Sequence, residues 1–187
     1  WPGFVPAVFD YLQPDGYFKL HERRIGVLTS EIEQMRSSRE LKALREELAA
    51  LQREGEEAVL SYQKEMAAAR MLRQKRRKEA FLSERDKAEM IGESQFQKAE
   101  LHRIKVRYRH LTEERQALLD RFQNAISEKE QRRKEMSVAL QQWLFGQFIM
   151  TNHRGEHRSL LEIFADTTHS IPPSGSGECC EPKLLQY

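Results

Sequence analysis

The string His153-Arg154-Gly155-Glu156-His157 has residue types that could do chemistry. It matches the H-x-x-E-H order of an inverted zinc-protease motif, in which two imidazoles one helical turn apart hold a metal and the Glu stands beside the metal-bound water. That spacing works only on a helix. Asn152 and Gly155 favour a reversal, and no third ligand is evident, so the string reads as surface histidines on a turn and no metal is assigned. A second candidate is Gly175-Ser176-Gly177-Glu178-Cys179-Cys180, which leads into an expected helix start. Peptide dipoles at such a start depress a thiol's pKa and would activate it. A nucleophilic thiol also needs a base, and the sequence pairs none with it, so inert buried thiols are the expectation. His21, His102, His110 and His169 show no ligand spacing. Walker, G-x-G-x-x-G and G-x-S-x-G strings are missing, and the sequence assigns no catalytic residue and no cofactor.

What remains is charge. The net charge is +2, which by itself names no partner, yet the window from Arg70 to Arg109 holds thirteen Lys and Arg against six acids. Two runs within it are candidates for RNA contact: Arg70, Arg73, Lys75, Arg76, Arg77 and Lys78, then Arg103, Lys105, Arg107 and Arg109. Phosphate backbones reward such clusters through counterion release, and Tyr108, His102 and His110 interleave with the second run. The competing reading is a solvated helix face, because Lys and Arg on a long helix need no partner.

These residues must be carried by long helices. The chain has 187 residues at 22.1 kDa, is 32% charged and 39% hydrophobic, and has a mean hydropathy of −0.74. No stretch approaches the ~18 apolar residues of a membrane span, so no membrane partner is expected. Gly and Pro lie mostly towards the two ends, which leaves a middle rich in helix formers. Apolar residues recur there at three- and four-residue steps: Ile25, Leu28, Ile32 and Met35, then Leu41, Leu44, Leu48 and Leu51, with a phase shift at Ser37-Ser38-Arg39 that predicts a stutter or break. Tyr62, Ala69 and Leu72 continue the seam. The second half reads Leu101, Ile104, Tyr108, Leu111, Arg115, Leu118, Phe122, Ala125, Lys129, Arg132, Met136, Ala139 and Trp143, an average step of 3.5 that predicts supercoiled helices. Ser83-Glu84-Arg85-Asp86 offers a helix cap after Phe81-Leu82, so the reversal is placed there, with Gly92 as the competing position.

Reversal near Ser83 gives two segments of about 60 residues, each about 90 Å long at 1.5 Å per residue, and would bring both basic runs to one positive tip. After Trp143 a turn at 152–155, a short helix capped by Ser159, a Pro/Gly loop at 171–177 and a last helix with Pro182 in its first turn are expected. The fold class is therefore mainly α: a long antiparallel coiled-coil hairpin on a small base formed by both chain ends. Its segments are 1–20, 21–82, 83–146 and 147–187. A start at Trp1 without Met or leader, and an end inside a new apolar pattern, read as an excised fragment. Two adjacent cysteines form no disulfide framework, which suits a reducing, cytoplasmic setting.

The base segments resemble those of long-form RluA-type RNA pseudouridine synthases. The resemblance rests on Gly3-Phe4-Val5-Pro6 with Phe9-Asp10-Tyr11-Leu12, on Gln141-Gln142-Trp143-Leu144-Phe145, and on Pro172-Pro173-Ser174-Gly175-Ser176-Gly177-Glu178-Cys179-Cys180 with Pro182-Lys183-Leu184-Leu185-Gln186-Tyr187. In that bacterial subgroup a long helical region precedes a domain that isomerises uridine in structured RNA, without a cofactor, through the Asp of an H-R-x-D type motif. Here His153-Arg154-Gly155-Glu156 and His157-Arg158-Ser159-Leu160 keep the His-Arg pair and lack the Asp. The resemblance thus implies an accessory arm, with transfer or ribosomal RNA as partner and the catalytic domain elsewhere. The alternative from the residues alone is a coiled-coil homodimer or structural module without RNA contact.

Overall fold

The computed structural model describes residues 8–79 and 81–186. The opening Gly3-Phe4-Val5-Pro6, Tyr187 and the Cys180 side chain lie outside that description. The elements are α1 (Tyr17–Ser37), α2 (Arg39–Glu79), α3 (Glu84–Gln147), β1 (Ile149–Thr151), β2 (His157–Ser159), α4 (Leu160–Ala165) and α5 (Cys180–Gln186). The chain is mainly α, as expected. It divides into two compact units, one containing residues 1–35 and 126–187, the other 36–125. Among the described residues no helix is long and apolar enough to cross a membrane.

The break at Ser37-Ser38-Arg39 is a true helix boundary. Ser38 leaves the helix and caps the next one: its Oγ accepts from the Leu41 N–H at 3.2 Å, and its carbonyl accepts from the Lys42 N–H at 3.3 Å. Residues 36–125 then form a helical hairpin. Advancing along α2, Glu47 bonds Arg115 at 3.1 Å, Gly55 lies against Tyr108, and Arg73 bonds Gln97 at 2.9 Å. Partners on α3 fall as those on α2 rise, which defines an antiparallel pair. Leu41, Leu44 and Leu48 are buried at one end of this seam, and Met90 lies buried further along it. At the reversal, Ser83 and Asp86 form a reciprocal cap: the Asp86 N–H donates to Ser83 Oγ at 3.2 Å while the Ser83 N–H donates to Asp86 Oδ2 at 3.0 Å. Gly92, the competing turn position, lies inside α3.

The other unit has a core formed from both ends of the chain. Phe148 and Phe145 are almost fully buried with Leu144 and Leu160, and Phe9, Tyr11, Phe18, Trp143 and Phe164 pack round them. Within this unit α1 runs antiparallel to the last part of α3, since Tyr17 packs on Trp143 at a tilt of 33° with ring centroids 4.4 Å apart and Glu31 bonds Lys129 at 2.7 Å. Ser159 caps α4 with Glu162 as reciprocal partner. Pro182 falls in the first turn of α5. Gly177, at φ +86°, lets the loop 171–177 close on the core, because a Cβ there would sit 2.9 Å from the Phe148 ring.

Two expectations need correction. The first concerns the seam of α3: Leu118 is 40% exposed while Leu119, Ile126 and Leu140 are buried, and Arg132 and Ala139 are exposed. Burial returns after eleven residues, from Tyr108 to Leu119, Arg115 to Ile126 and Lys129 to Leu140. An eleven-residue step is 3.67 per turn, close to a straight helix, whereas a strict heptad falls about 20° behind per repeat. The second is the antiparallel strand pair, Ile149 opposite Ser159 and Thr151 opposite His157, where only a turn was foreseen.

Candidate nucleic-acid interface

Every candidate basic residue lies in the hairpin unit, and the helix period sorts them by side. At 100° per residue, Arg70, Gln74 and Arg77 project to one side of the α2 seam, and Leu72 and Arg76 to the other. Arg70, Arg73 and Arg77 meet Lys98 of α3 around an open groove of about 790 Å³. Its floor is apolar, with Met66, Ala67, Met90, Ile91 and Leu101, and its remaining lining is Gln63, Gln74, Ser94 and Gln95. Among the described residues no carboxylate lines it. Three of these cations, Arg70, Arg77 and Lys98, therefore face a groove that no described acid lines, over a low-dielectric floor that strengthens their field.

Arg73 has a different status from its neighbours. Its side chain is 13% exposed and bridges the hairpin, donating to Gln97 Oε1 at 2.9 Å and Glu93 Oε2 at 3.5 Å. A guanidinium fixed in this way holds the two helices together and has little freedom to follow an external phosphate. Arg76 and Lys75 line a second groove, of about 610 Å³, on the opposite side of the seam with Tyr62, Ala69, Leu72 and Phe96. Lys78 is exposed near the end of α2. The Asp86 carboxyl beside the reversal is held below its ordinary value, first by the Ser83 hydroxyl and then by the Ser83 N–H, with a smaller pull from Arg76.

The second run does not join the first at one tip, which corrects the expected geometry. Tyr108 stands opposite Gly55, whereas Arg73 stands opposite Glu93 and Gln97. From Gln97 to Tyr108 the helical rise is about 17 Å, and from Gly55 to Arg73 about 27 Å. That displacement brings Lys105 and Arg109 into a groove shared with Glu56. Arg103 pairs with Glu100 at 2.7 Å and Arg109 with Glu113 at 3.7 Å. Arg107 is exposed, and His110 lies 3.6 Å from Glu114. Exposed pairs of this kind are weak, yet they lower the local positive potential.

Sequence reading counted Lys98 within the basic window without selecting it, and overlooked the apolar floor. The signal was available in part: Gln63, Ala67, Arg70, Gln74 and Arg77 form a stripe on α2 without an acid, although Glu56, Glu57, Glu65 and Glu79 flank it in sequence.

The other candidates resolve as local structure. His153 to His157 spans the turn between β1 and β2, where Gly155 has φ +80° and Asn152 Oδ1 accepts from the Arg154 and Glu156 N–H groups at 2.9 and 3.1 Å. His157 Nδ1 lies 2.9 Å from Thr151 Oγ1. Cys179, expected to be buried, is exposed; its thiol approaches the Gly175 carbonyl at 3.7 Å. Among the described residues no three of His, Cys, Asp and Glu converge as a metal site. Comparison of the chain with protein-family models, curated proteins and solved structures gave no match to any of them.

Proposed function

We propose that the chain is an RNA-contacting helical arm in which Arg70, Arg77 and Lys98 grip phosphates along the acid-free groove of the hairpin. The observation that carries this reading is the lining of that groove: Arg70, Arg77 and Lys98 with no carboxylate among the described residues. Backbone neutralisation by Lys and Arg is independent of base sequence, so the arm positions an RNA and does not select one. With the resemblance of the base segments, the arm is the accessory region of an RNA-modifying pseudouridine synthase, working on transfer or ribosomal RNA in the cytoplasm. Uridine isomerisation then belongs to a catalytic domain elsewhere, since neither His-Arg pair here is followed by the required Asp.

The test is RNA binding by the chain as a function of salt. Log affinity should fall linearly with log salt, and the combined Arg70→Glu, Arg77→Glu and Lys98→Glu variant should flatten the slope by about 2, at about 0.7 per lost contact on a single strand. An Arg103→Glu, Arg107→Glu variant should change it less. Unchanged affinity in the groove variant, with helicity retained, would overturn the proposal.

A further inference from the structure

We infer that the opposite side of the hairpin is a self-association surface on which α2 packs antiparallel to α2 of a second copy. This inference does not rest on RNA binding, because it uses the other side of the seam.

Two observations carry it. Leu72 and Phe96, 64% and 61% exposed, stand together in the groove bounded by Tyr62 and Ala69. Large apolar side chains grouped on one face mark an interaction surface more strongly than scattered ones do. The second observation is the charge layout of α2. On this side residues 40–57 place the acids Glu40, Glu47 and Glu54, and residues 64–78 place Lys75 and Arg76 with the acid Glu65. A parallel partner would set base against base. An antiparallel copy sets each acidic half against a basic half, twice, about one two-fold axis, which is the self-complementarity a symmetric dimer requires.

The register follows from the helix period. On this side of the seam α2 presents Glu47, Glu54, Ser61, Leu72 and Arg76, judged by 100° steps from the buried seam positions. Placing the axis between Ser61 and Tyr62 opposes Glu47 to Arg76 and Leu51 to Leu72 of the copy. The overlap from Glu47 to Arg76 is then about 45 Å long. Glu47 already bonds Arg115 within its own hairpin, but its side chain is 58% exposed and a carboxylate accepts more than one donor.

The experiment is sedimentation equilibrium on the full chain, with three variants. The unaltered chain should be a dimer, and Leu72→Glu with Phe96→Glu should make it a monomer while circular dichroism keeps its helicity. In a Cys179→Ser, Cys180→Ser background, Ser61→Cys should form a disulfide-linked dimer on mild oxidation, because that position adjoins the axis. Gln63→Cys, on the groove side, should not. The RNA-groove variant should remain dimeric, so failure of RNA binding leaves this result unaffected. A concentration-independent monomer, or equal cross-linking from positions 61 and 63, would overturn the inference; so would a monomer whose Leu72→Glu, Phe96→Glu form loses RNA, since that face would then serve the nucleic acid.

Discussion

The two units bury their apolar residues in different ways. In the unit of residues 1–35 and 126–187, side chains from the N-terminal segment, α1, the end of α3, strand β1 and α4 converge on Phe145 and Phe148 from several directions. In residues 36–125 burial is confined to one stripe per helix, and Leu60, Met71, Leu72, Ile91 and Phe96 remain exposed. A convergent core makes each contact depend on the others. A seam adds its contacts along a line, so its parts open more independently and its free faces remain available for binding. Candidate binding residues accordingly lie on the seam unit, where, Arg73 apart, little of their surface is needed for folding.

The largest expected effect tests this contrast directly. Phe148→Ala removes a ring that is 1% exposed, and should cost about 3–5 kcal/mol, as aromatic truncation in a core does. Met71→Ala, at 71% exposure in the seam unit, should stay within about 0.5 kcal/mol. Urea denaturation of the two variants checks the pair. Similar losses from both would abolish the distinction between core and seam.

Within the hairpin, two glycines sharpen the comparison. A Cβ at Gly55 would lie 3.0 Å from Cβ and Cγ of Tyr108, while a Cβ at Gly92 meets nothing within 4 Å. Alanine favours a helix interior over glycine by about 1 kcal/mol, so Gly92→Ala should stabilise by roughly that amount. Gly55→Ala receives the same gain and must push apart two helices at the seam. Tyr108 cannot rotate away from its own Cβ, so the net change should be a loss of about 1–3 kcal/mol, the range of overpacking. Thermal unfolding reads the opposite signs; a stabilising Gly55→Ala would mean that the pair does not approach closely there.

The caps were legible in the sequence because each is a contact within four residues. Ser83 and Ser159 act as caps where the sequence places them, and the phase shift at Ser37-Ser38-Arg39 identifies a real boundary, although the cap that Ser38 forms there was not read from it. The strands were not legible. Ile149-Met150-Thr151 continues an apolar helical pattern in sequence, and becomes a strand because the Asn152 turn folds His157–Ser159 back onto it. Seam phase was legible only approximately, since 3.5 and 3.6 residues per turn diverge by about half a position after two to three heptads, enough to move burial from Leu118 to Leu119. The same limit governs the candidate site. The sequence displays the cations, but which side of the seam each one occupies, and which acids stand across from it, depends on the pairing of Gly55 with Tyr108 and of Arg73 with Gln97.

The smallest expected effect compares the two capping carboxyls, one in each unit. Asp86 Oδ2 accepts from the Ser83 N–H, and Glu162 Oε2 accepts from the Ser159 N–H and hydroxyl at 2.7 and 2.8 Å. Hydrogen bonds to the charged form hold Asp86 below its ordinary 3.8 and Glu162 below its ordinary 4.5. A carboxyl depressed in the folded state stabilises the fold above its unfolded pKa, and this contribution is lost as pH falls through the lower folded value. Both caps should therefore remain charged at a pH where free carboxyls are already half protonated, and loosen only in stronger acid. Carboxyl titration by NMR should show both values depressed in the unaltered chain. Ser83→Ala removes the hydroxyl that contributes most at Asp86, and should raise that titration towards 3.8 while leaving Glu162 unmoved. An Asp86 that already titrates at its ordinary value in the unaltered chain would show that the reversal is not locked by this cap, and that the seam alone sets where the hairpin turns.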